Sequence, residues 1–407
     1  MGFEERSKVS DILSIYIPAF FIFLGTGVVS PVLALFARSF QISFALVSLA
    51  ISMYAVGRLV SNIPVGILAD RFGRKPVMLL GTIILSITAF LNGSASDFWV
   101  FILLRTLQGV GASMWINGRQ TLLADILKPE ERGRVLGYFQ TFQLIGSAAG
   151  PTVGGLAASI WDIRSPFYLY SSLALVSFIL SFILVHESES LKTSRVRSDL
   201  GFSPRLIWRI LTIKGFTMAC LAPFSISFLT AGLRNMIIPL YGDNVIGLDE
   251  AQIGMVLSFA TLFNLVLTIP VGYMIDYHGR KSVILKSLYV TAASAFIFTL
   301  TSDFLSMSIA ALILGVGTSG SQQASLAMAT DLTINEPRGL SIGLYRISTD
   351  IGFVSGPIIL GFIADNYNLR VPFYFMSILL LVNAILILIY AKETYSLKHI
   401  RKGEPLK

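Results

Sequence analysis

Apolar runs of about 20 residues, long enough to cross a bilayer, recur twelve times along the chain and alternate with short polar connections. They fall at about 12–37, 44–69, 77–96, 98–124, 135–159 and 166–186, then at about 214–241, 251–275, 282–302, 304–330, 340–364 and 371–391. In hydrocarbon every backbone polar group must find its partner inside the segment, so runs of this length predict helices. The chain is therefore expected to be all-α and integral to a membrane, as two sets of six. The longest polar connection, 187–213, lies between the sets. Its end, Pro204 to Ile213, alternates Leu206, Ile207, Trp208, Ile210 and Leu211 with Arg205 and Arg209. That pattern suits a short helix lying in the interface. The expected organisation is a six-helix bundle over 1–186, a linker over 187–213, a second bundle over 214–391 and a tail over 392–407.

The two sets are copies. Gly66-Ile67-Leu68-Ala69-Asp70-Arg71-Phe72-Gly73-Arg74-Lys75 returns as Gly272-Tyr273-Met274-Ile275-Asp276-Tyr277-His278-Gly279-Arg280-Lys281. The same shift, 206 positions from Asp70 to Asp276, carries Pro64 to Pro270, Gly109 and Gly111 to Gly315 and Gly317, and Asp125 to Asp331. It also carries Gly150-Pro151 to Gly356-Pro357 and Arg164 to Arg370. A ladder of matches at one offset marks an internal repeat. An even number of spans per copy gives both the same orientation, so the repeats are parallel.

Composition agrees with this picture. Hydrophobic residues make up 54% of the chain and charged residues 13%, against about 25% charged in soluble domains. The net charge of +8 sits in the connections, as an orientation signal does, and no nucleic-acid-binding pattern accompanies it. Arg71, Arg74, Lys75, Lys128, Arg132, Arg134, Arg280, Lys281, Lys286, Arg338, the linker and the tail share one side; the other carries only Arg38, Arg164 and Arg370. The rich side is expected to be cytoplasmic, with both termini inside. The single cysteine, Cys220, excludes an intramolecular disulfide and a cysteine-based zinc cluster.

Two six-helix halves with Gly-x-Leu-Ala-Asp-Arg-x-Gly-Arg-Lys after the second span resemble the major facilitator superfamily. Three further segments agree: Leu104-Arg105-Thr106-Leu107-Gln108-Gly109-Val110-Gly111-Ala112 in the fourth span, Gly146 to Gly155 in the fifth, and Gly25 to Leu33 in the first. The last two are similar to patterns of its twelve-helix drug:proton antiporters. The resemblance implies a gate built from Gly66, Asp70, Arg71, Gly73, Arg74 and Lys75, mirrored by Asp276, Gly279, Arg280 and Lys281. Asp70 would face the helix starting near Leu340. Tyr277 replaces Arg71 in the copy, so the second lock is expected to be weaker. The fifth-span stripe Gly146, Gly150 and Gly154, bent at Pro151, and its copy Gly356-Pro357 suit close helix packing. The resemblance adds a hinge role.

Charges inside spans are costly and usually functional. Arg58, Arg105, Arg119, Arg234, Arg346 and Asp350 lie there, and they break the repeat: Arg58 maps to Asn264, Arg119 to Ser325 and Asp350 to Leu144. Asp350 follows Arg346 by four residues and can pair with it along one face. A proton site at Asp350 with Arg346 competes with a self-neutralised structural pair. The resemblance links Arg105 to proton transfer and places Ser30, Trp115, Arg119, Arg234, Asn235, Gln322 and Gln323, with Arg58, as substrate-binding candidates. The first span carries no acid, unlike many drug:proton antiporters. Several arginines with one acid favour an anionic or zwitterionic substrate over a purely cationic one.

No P-loop or Gly-x-Ser-x-Gly elbow is present, and His186, His278 and His399 are scattered, so an enzyme, a metal site or a cofactor is not expected. The expected function is secondary active, proton-coupled export of small amphiphilic compounds by alternating access, from a monomer multi-pass in the plasma (inner) membrane. A transporter of an organic anion or sugar/acid metabolite is the alternative, and a non-transporting membrane sensor a third reading.

Overall fold

The computed structural model describes residues 3–126, 132–185, 204–334 and 336–394. Lys128, the linker over 187–203 and the tail beyond Thr394 lie outside the described residues. Within them the first half comprises α1 (Phe3–Val29), α2 (Leu33–Arg38), α3 (Phe44–Phe72), α4 (Arg74–Ser94), α5 (Phe98–Ile126), α6 (Arg132–Ile160) and α7 (Ser165–Leu184). A short α8 (Pro204–Leu211) precedes the second half. There follow α9 (Lys214–Phe228), a π-helical stretch over Leu229–Ile237, α10 (Ile238–Tyr241), a second π stretch over Gly242–Ile246 and α11 (Glu250–His278). The chain continues as α12 (Arg280–Phe298), α13 (Phe304–Thr318), α14 (Ser321–Leu332), α15 (Arg338–Asn366) and α16 (Val371–Tyr390). Among the described residues each of the twelve apolar runs is largely helical, and ten helices are long and apolar enough to cross a membrane.

Two compact units divide the chain: Met1–Ile42, Leu49–Arg197 and Asp249–Ser258 form one, and Ser43–Ser48, Ser198–Leu248 and Phe259–Lys407 the other. In the first, α1 packs against α6 and α7, and α4 against α5 and α7. In the second, α9 packs against α15 and α16, and α12 against α13, α14 and α16. The repeat thus reappears as repeated packing.

Lipid supplies no hydrophobic drive between helices, so closeness of backbones must hold them. Gly146, Gly150 and Gly154 supply it on α6, lying against Phe20, Leu24, Gly27 and Val28 of α1. A Cβ on Gly150 would stand 2.6 Å from the Gly27 Cα. In the second unit Gly352 and Gly356 of α15 lie against Phe224 and Phe228 of α9 in the same way. The stripe therefore packs inside its own unit. Across the α3–α5 crossing, Gly109 meets Tyr54, and its counterpart Gly315 meets Ala260.

Three of the apolar runs are not single helices. The first breaks between α1 and α2 at Pro31, which has no N–H to give to the Gly27 carbonyl. The Ser30 backbone N–H, at 3.1 Å, and the Ser30 hydroxyl, at 2.8 Å, fill that carbonyl instead. The tenth breaks between α13 and α14 at Gly320, where φ is +76°. The seventh stays continuous but widens into its π stretches.

The short α8 is amphipathic: Ile210 is fully buried while Trp208 is exposed, and Arg209 pairs with Glu336. Asp303 caps α13 by accepting from the Ser306 N–H at 2.7 Å. That bond, with help from the Ser306 hydroxyl, holds the Asp303 carboxyl below its ordinary value.

The α1–α6 and α9–α15 seams each carry a quantitative expectation. Gly150→Leu or Gly356→Leu forces backbones apart and should destabilise by roughly 1–3 kcal/mol. Thermal unfolding of the detergent-solubilised protein checks this, and an unchanged midpoint contradicts the seam.

Candidate functional site

The repeated basic turn is built from a glycine and a lysine that do structural work. Gly73 and Gly279 have φ of +104° and +89°, a region costly to residues with a Cβ. A tight reversal can then start α4 and α12 directly after α3 and α11. Lys75 donates to the Phe182 carbonyl at 2.9 Å, and Lys281 to the Leu388 carbonyl at 2.7 Å. These are repeat-related carbonyls at the ends of α7 and α16, which helix geometry leaves without N–H partners. Each lysine thus ties the start of one helix to the end of another in its own unit.

Among the described residues the charges around the two turns are held as follows. Arg74 is buried and lies 3.5 Å from the exposed Asp70 carboxylate, one turn away. Arg71 stacks on the neighbouring Phe72 ring at 5.4 Å. In the second unit Arg280 Nε lies 2.7 Å from Asp331 Oδ2. Glu393 accepts from the backbone N–H groups of Arg280, Lys281 and Ser282 at 2.8, 3.3 and 3.4 Å. A carboxylate on those free N–H groups is favoured by the helix dipole. Asp276 is exposed, and Gly66 faces open space. Glu393 is a partner the sequence reading did not single out; the 206-position shift carries it to Glu187, which lies outside the described residues.

Arg105 on α5 is a buried cation with Nε and Nη1 both hydrogen-bonded. Its Nε donates to the Ala50 carbonyl of α3 at 2.8 Å, its Nη1 donates to Gln108 Oε1 at 2.5 Å, and its guanidinium sits 4.8 Å from the Tyr54 ring centre. Gln108 accepts in turn from Asn92 of α4 at 3.3 Å. The result braces α3, α4 and α5 together.

Arg119, four turns further along α5, is the opposite case. Its residue is 5% exposed. The guanidinium lies 4.1 Å from the Phe139 ring centre, 4.5 Å from Trp115 and 5.8 Å from Phe23. Trp115 and Phe23 themselves meet edge to face at 5.3 Å. Nε and Nη1 are buried with no hydrogen-bond partner. Buried charged donors are nearly always paired, and an exception calls for a cause. Cation–π attraction compensates the faces of the ion, but its N–H edges remain unfilled. α1, α5 and α6 each contribute one ring or more, so the cage is a product of packing. Trp115 and Arg119, one helical turn apart, are visible in the sequence; Phe23 and Phe139 are not.

The second unit offers Arg234, in the π stretch, with Nη2 donating to the Thr261 hydroxyl of α11 at 2.6 Å and Nε buried without a partner. π segments frequently mark functional sites. Asn235 beside it is half-buried. Arg58 is half-buried on α3, and its repeat counterpart Asn264 donates to the Thr318 hydroxyl at 3.1 Å. Gln323 is half-buried; Gln322 is exposed, with its backbone carbonyl accepting from the Tyr345 hydroxyl at 2.8 Å. On α15 Arg346 is exposed and Asp350 half-buried. Among the described residues no group of His, Cys, Asp and Glu could hold a metal ion.

Twelve helical runs in two repeated units, each with the basic turn after its second run, match a known family. The family model of the Major Facilitator Superfamily covers residues 15–249 and 223–406. The chain belongs to the major facilitator superfamily. This superfamily member is a membrane transporter rather than an enzyme. It is 26% identical over 385 residues to Multidrug resistance protein 2 of Bacillus subtilis, covering 92% of this chain and 93% of that protein. It is 25% identical over 392 residues to Quinolone resistance protein NorA of Staphylococcus aureus, covering 95% of this chain and 98% of that protein. Among solved structures it resembles the nucleoside transporter NupG, with TM-score 0.75 at 12% identity over 93% of this chain and 98% of that one. It also resembles a D-xylose-proton symporter, with TM-score 0.74 at 14% identity over 96% and 99%. At these identities the structures testify to the fold alone.

An orphaned buried cation should cost the empty protein stability. Arg119→Met fills the cage with apolar atoms and should leave the thermal midpoint unchanged or raise it. A fall of several degrees in the same unfolding assay would show that the cage is a structural ion site.

Proposed function

We propose that this transporter exports small amphiphilic compounds with an aromatic body and an anionic or zwitterionic group, driven by the proton gradient. The observation that carries this reading is the Arg119 guanidinium, buried among Phe23, Trp115 and Phe139 with two N–H groups unfilled. Rings on its faces leave the edge of the ion for a carboxylate, the geometry in which arginine binds best. Aromatic rings around that edge favour a flat apolar substrate body. The multidrug and quinolone names of its relatives support drug-type efflux. Arg234, Asn235, Trp115, Arg58, Ser30, Gln322 and Gln323 are its further candidate contacts. An organic-anion metabolite is the second reading, favoured by the same cation.

For coupling, Asp350 is the proposed proton carrier, with Arg346 one turn before it on α15 as the group whose interactions its protonation changes. Arg105, with its donors engaged, acts on that reading as a brace for the proton pathway. We propose that the transporter works in the cell membrane as a multi-pass monomer, with the basic connections and both termini on the cytoplasmic side.

Proteoliposomes with an imposed pH gradient test the proposal. A quinolone, an aromatic bicycle bearing a carboxylate, should move with the gradient. Arg119→Met should lower its transport about tenfold or more, the loss of a charge-assisted bidentate pair. A lipophilic cation should lose far less. Equal loss for both substrates would remove Arg119 from substrate choice, and movement of cations only would remove the anionic preference altogether.

The proton role has a separate readout. Asp350→Asn should abolish pH-driven flux while substrate exchange continues. Flux with unchanged pH dependence rules Asp350 out as the carrier.

A further inference from the structure

The two halves of the repeat differ in one packed patch, where Met114, Ala69 and Ile84 become Gly320, Ile275 and Val290, and a groove lies beside the exchange. In the first unit Met114 of α5 is buried with Val65, Ala69 and Val77, and Ile84 and Val110 close around them. The 206-position shift carries Met114 to Gly320, Val77 to Val283, Ile84 to Val290 and Val110 to Val316. The walls remain apolar. Gly320 takes φ +76° at the α13–α14 break. A Cβ there would strike the Val271 side chain, so the Gly320 backbone lies directly against α11 beside the groove. The volume left between α11, α12 and α13 is about 250 Å³, lined by Val271, Met274, Val283, Val290 and Val316. An apolar cavity of about 150 Å³ already takes up a benzene molecule.

A second departure lies in the same patch. Leu80 of the first half becomes Lys286, which stands exposed on the wall of the groove. Lys286 is six residues into α12, roughly 9 Å along its axis. That helix starts with Arg280-Lys281 at the end where the basic residues gather. A lysine at this depth can lay its stem on apolar surface and raise its ammonium to the interface. An unfilled apolar groove forfeits dispersion contacts. The molecules that surround a membrane-spanning helix at this depth are lipids, and the cation selects among them by charge.

We infer that the groove between α11, α12 and α13 binds one acyl chain of an anionic phospholipid whose phosphate pairs with Lys286. The site is in the second unit; in the first, Met114 is buried in the corresponding patch. It shares no residue with the Arg119 cage and does not depend on what the protein transports.

Native mass spectrometry of the full chain in detergent, titrated with phosphatidylglycerol or phosphatidylcholine of the same chain length, tests it. Phosphatidylglycerol should be retained about fivefold more strongly, the contribution expected of one basic residue near an anionic headgroup. Lys286→Gln should bring it down to the phosphatidylcholine level. Val290→Trp fills the groove and should reduce retention of both lipids. Inorganic phosphate, which lacks the chain, should not displace bound lipid. Equal retention of the two lipids by the wild type, an unchanged preference in Lys286→Gln, or displacement by free phosphate overturns the inference. If Val290→Trp fails to fold, the wild-type comparison and the exposed Lys286→Gln still decide it.

Discussion

A carbonyl or an N–H left open inside a bilayer has no water to turn to. Among the described residues, three departures from regular helix are arranged around that constraint. Where Pro31 withdraws a donor from α1, the Ser30 hydroxyl and backbone N–H both turn to the Gly27 carbonyl. Where α7 and α16 run out, Lys75 and Lys281 reach their last carbonyls. Where α12 starts, the Glu393 carboxylate gathers three open N–H groups. The basic turns therefore tie helices together inside each unit as well as carrying the charges that mark a membrane face.

Against that background the two arginines of α5 stand in contrast. Arg105 finds a carbonyl, an amide oxygen and a ring, and so behaves as a brace. Arg119 finds rings alone. Rings attract a cation through their faces but accept no hydrogen bond from its edge at comparable strength. The same element thus carries one arginine whose role is complete in the empty protein and one whose bonding is completed by something else. Arg234 is intermediate, with one donor filled by Thr261 and Nε empty.

Duplication gave the protein one packing scheme twice, and its specialised features lie where the copies part. The glycine seams Gly150–Gly27 and Gly356–Phe228 keep their register because a larger residue in either would meet backbone. Positions away from the seams were free to diverge. Leu80 and Lys286, Met114 and Gly320, and Arg58 and Asn264 are such pairs. Each exchange changes charge or volume at a place where the fold tolerates it.

Periodicity, length and the repeat were legible in the chain because bilayer thickness and backbone satisfaction leave few alternatives to twelve helices. The repeated basic turn, the glycine stripe of the fifth span and the isolated arginines were legible because each stands out against an apolar helical background. What the linear order could not supply was partnership. Phe23, Trp115 and Phe139 come from three helices, and only their packing makes them a cage for Arg119. Glu393 lies more than a hundred positions from the N–H groups it caps. The groove beside Gly320 depends on how α11, α12 and α13 pack, which the linear order does not announce. Sequence alone determined which residues are costly to place in a membrane; tertiary structure decided which of those costs are met, because that depends on what packs beside each one.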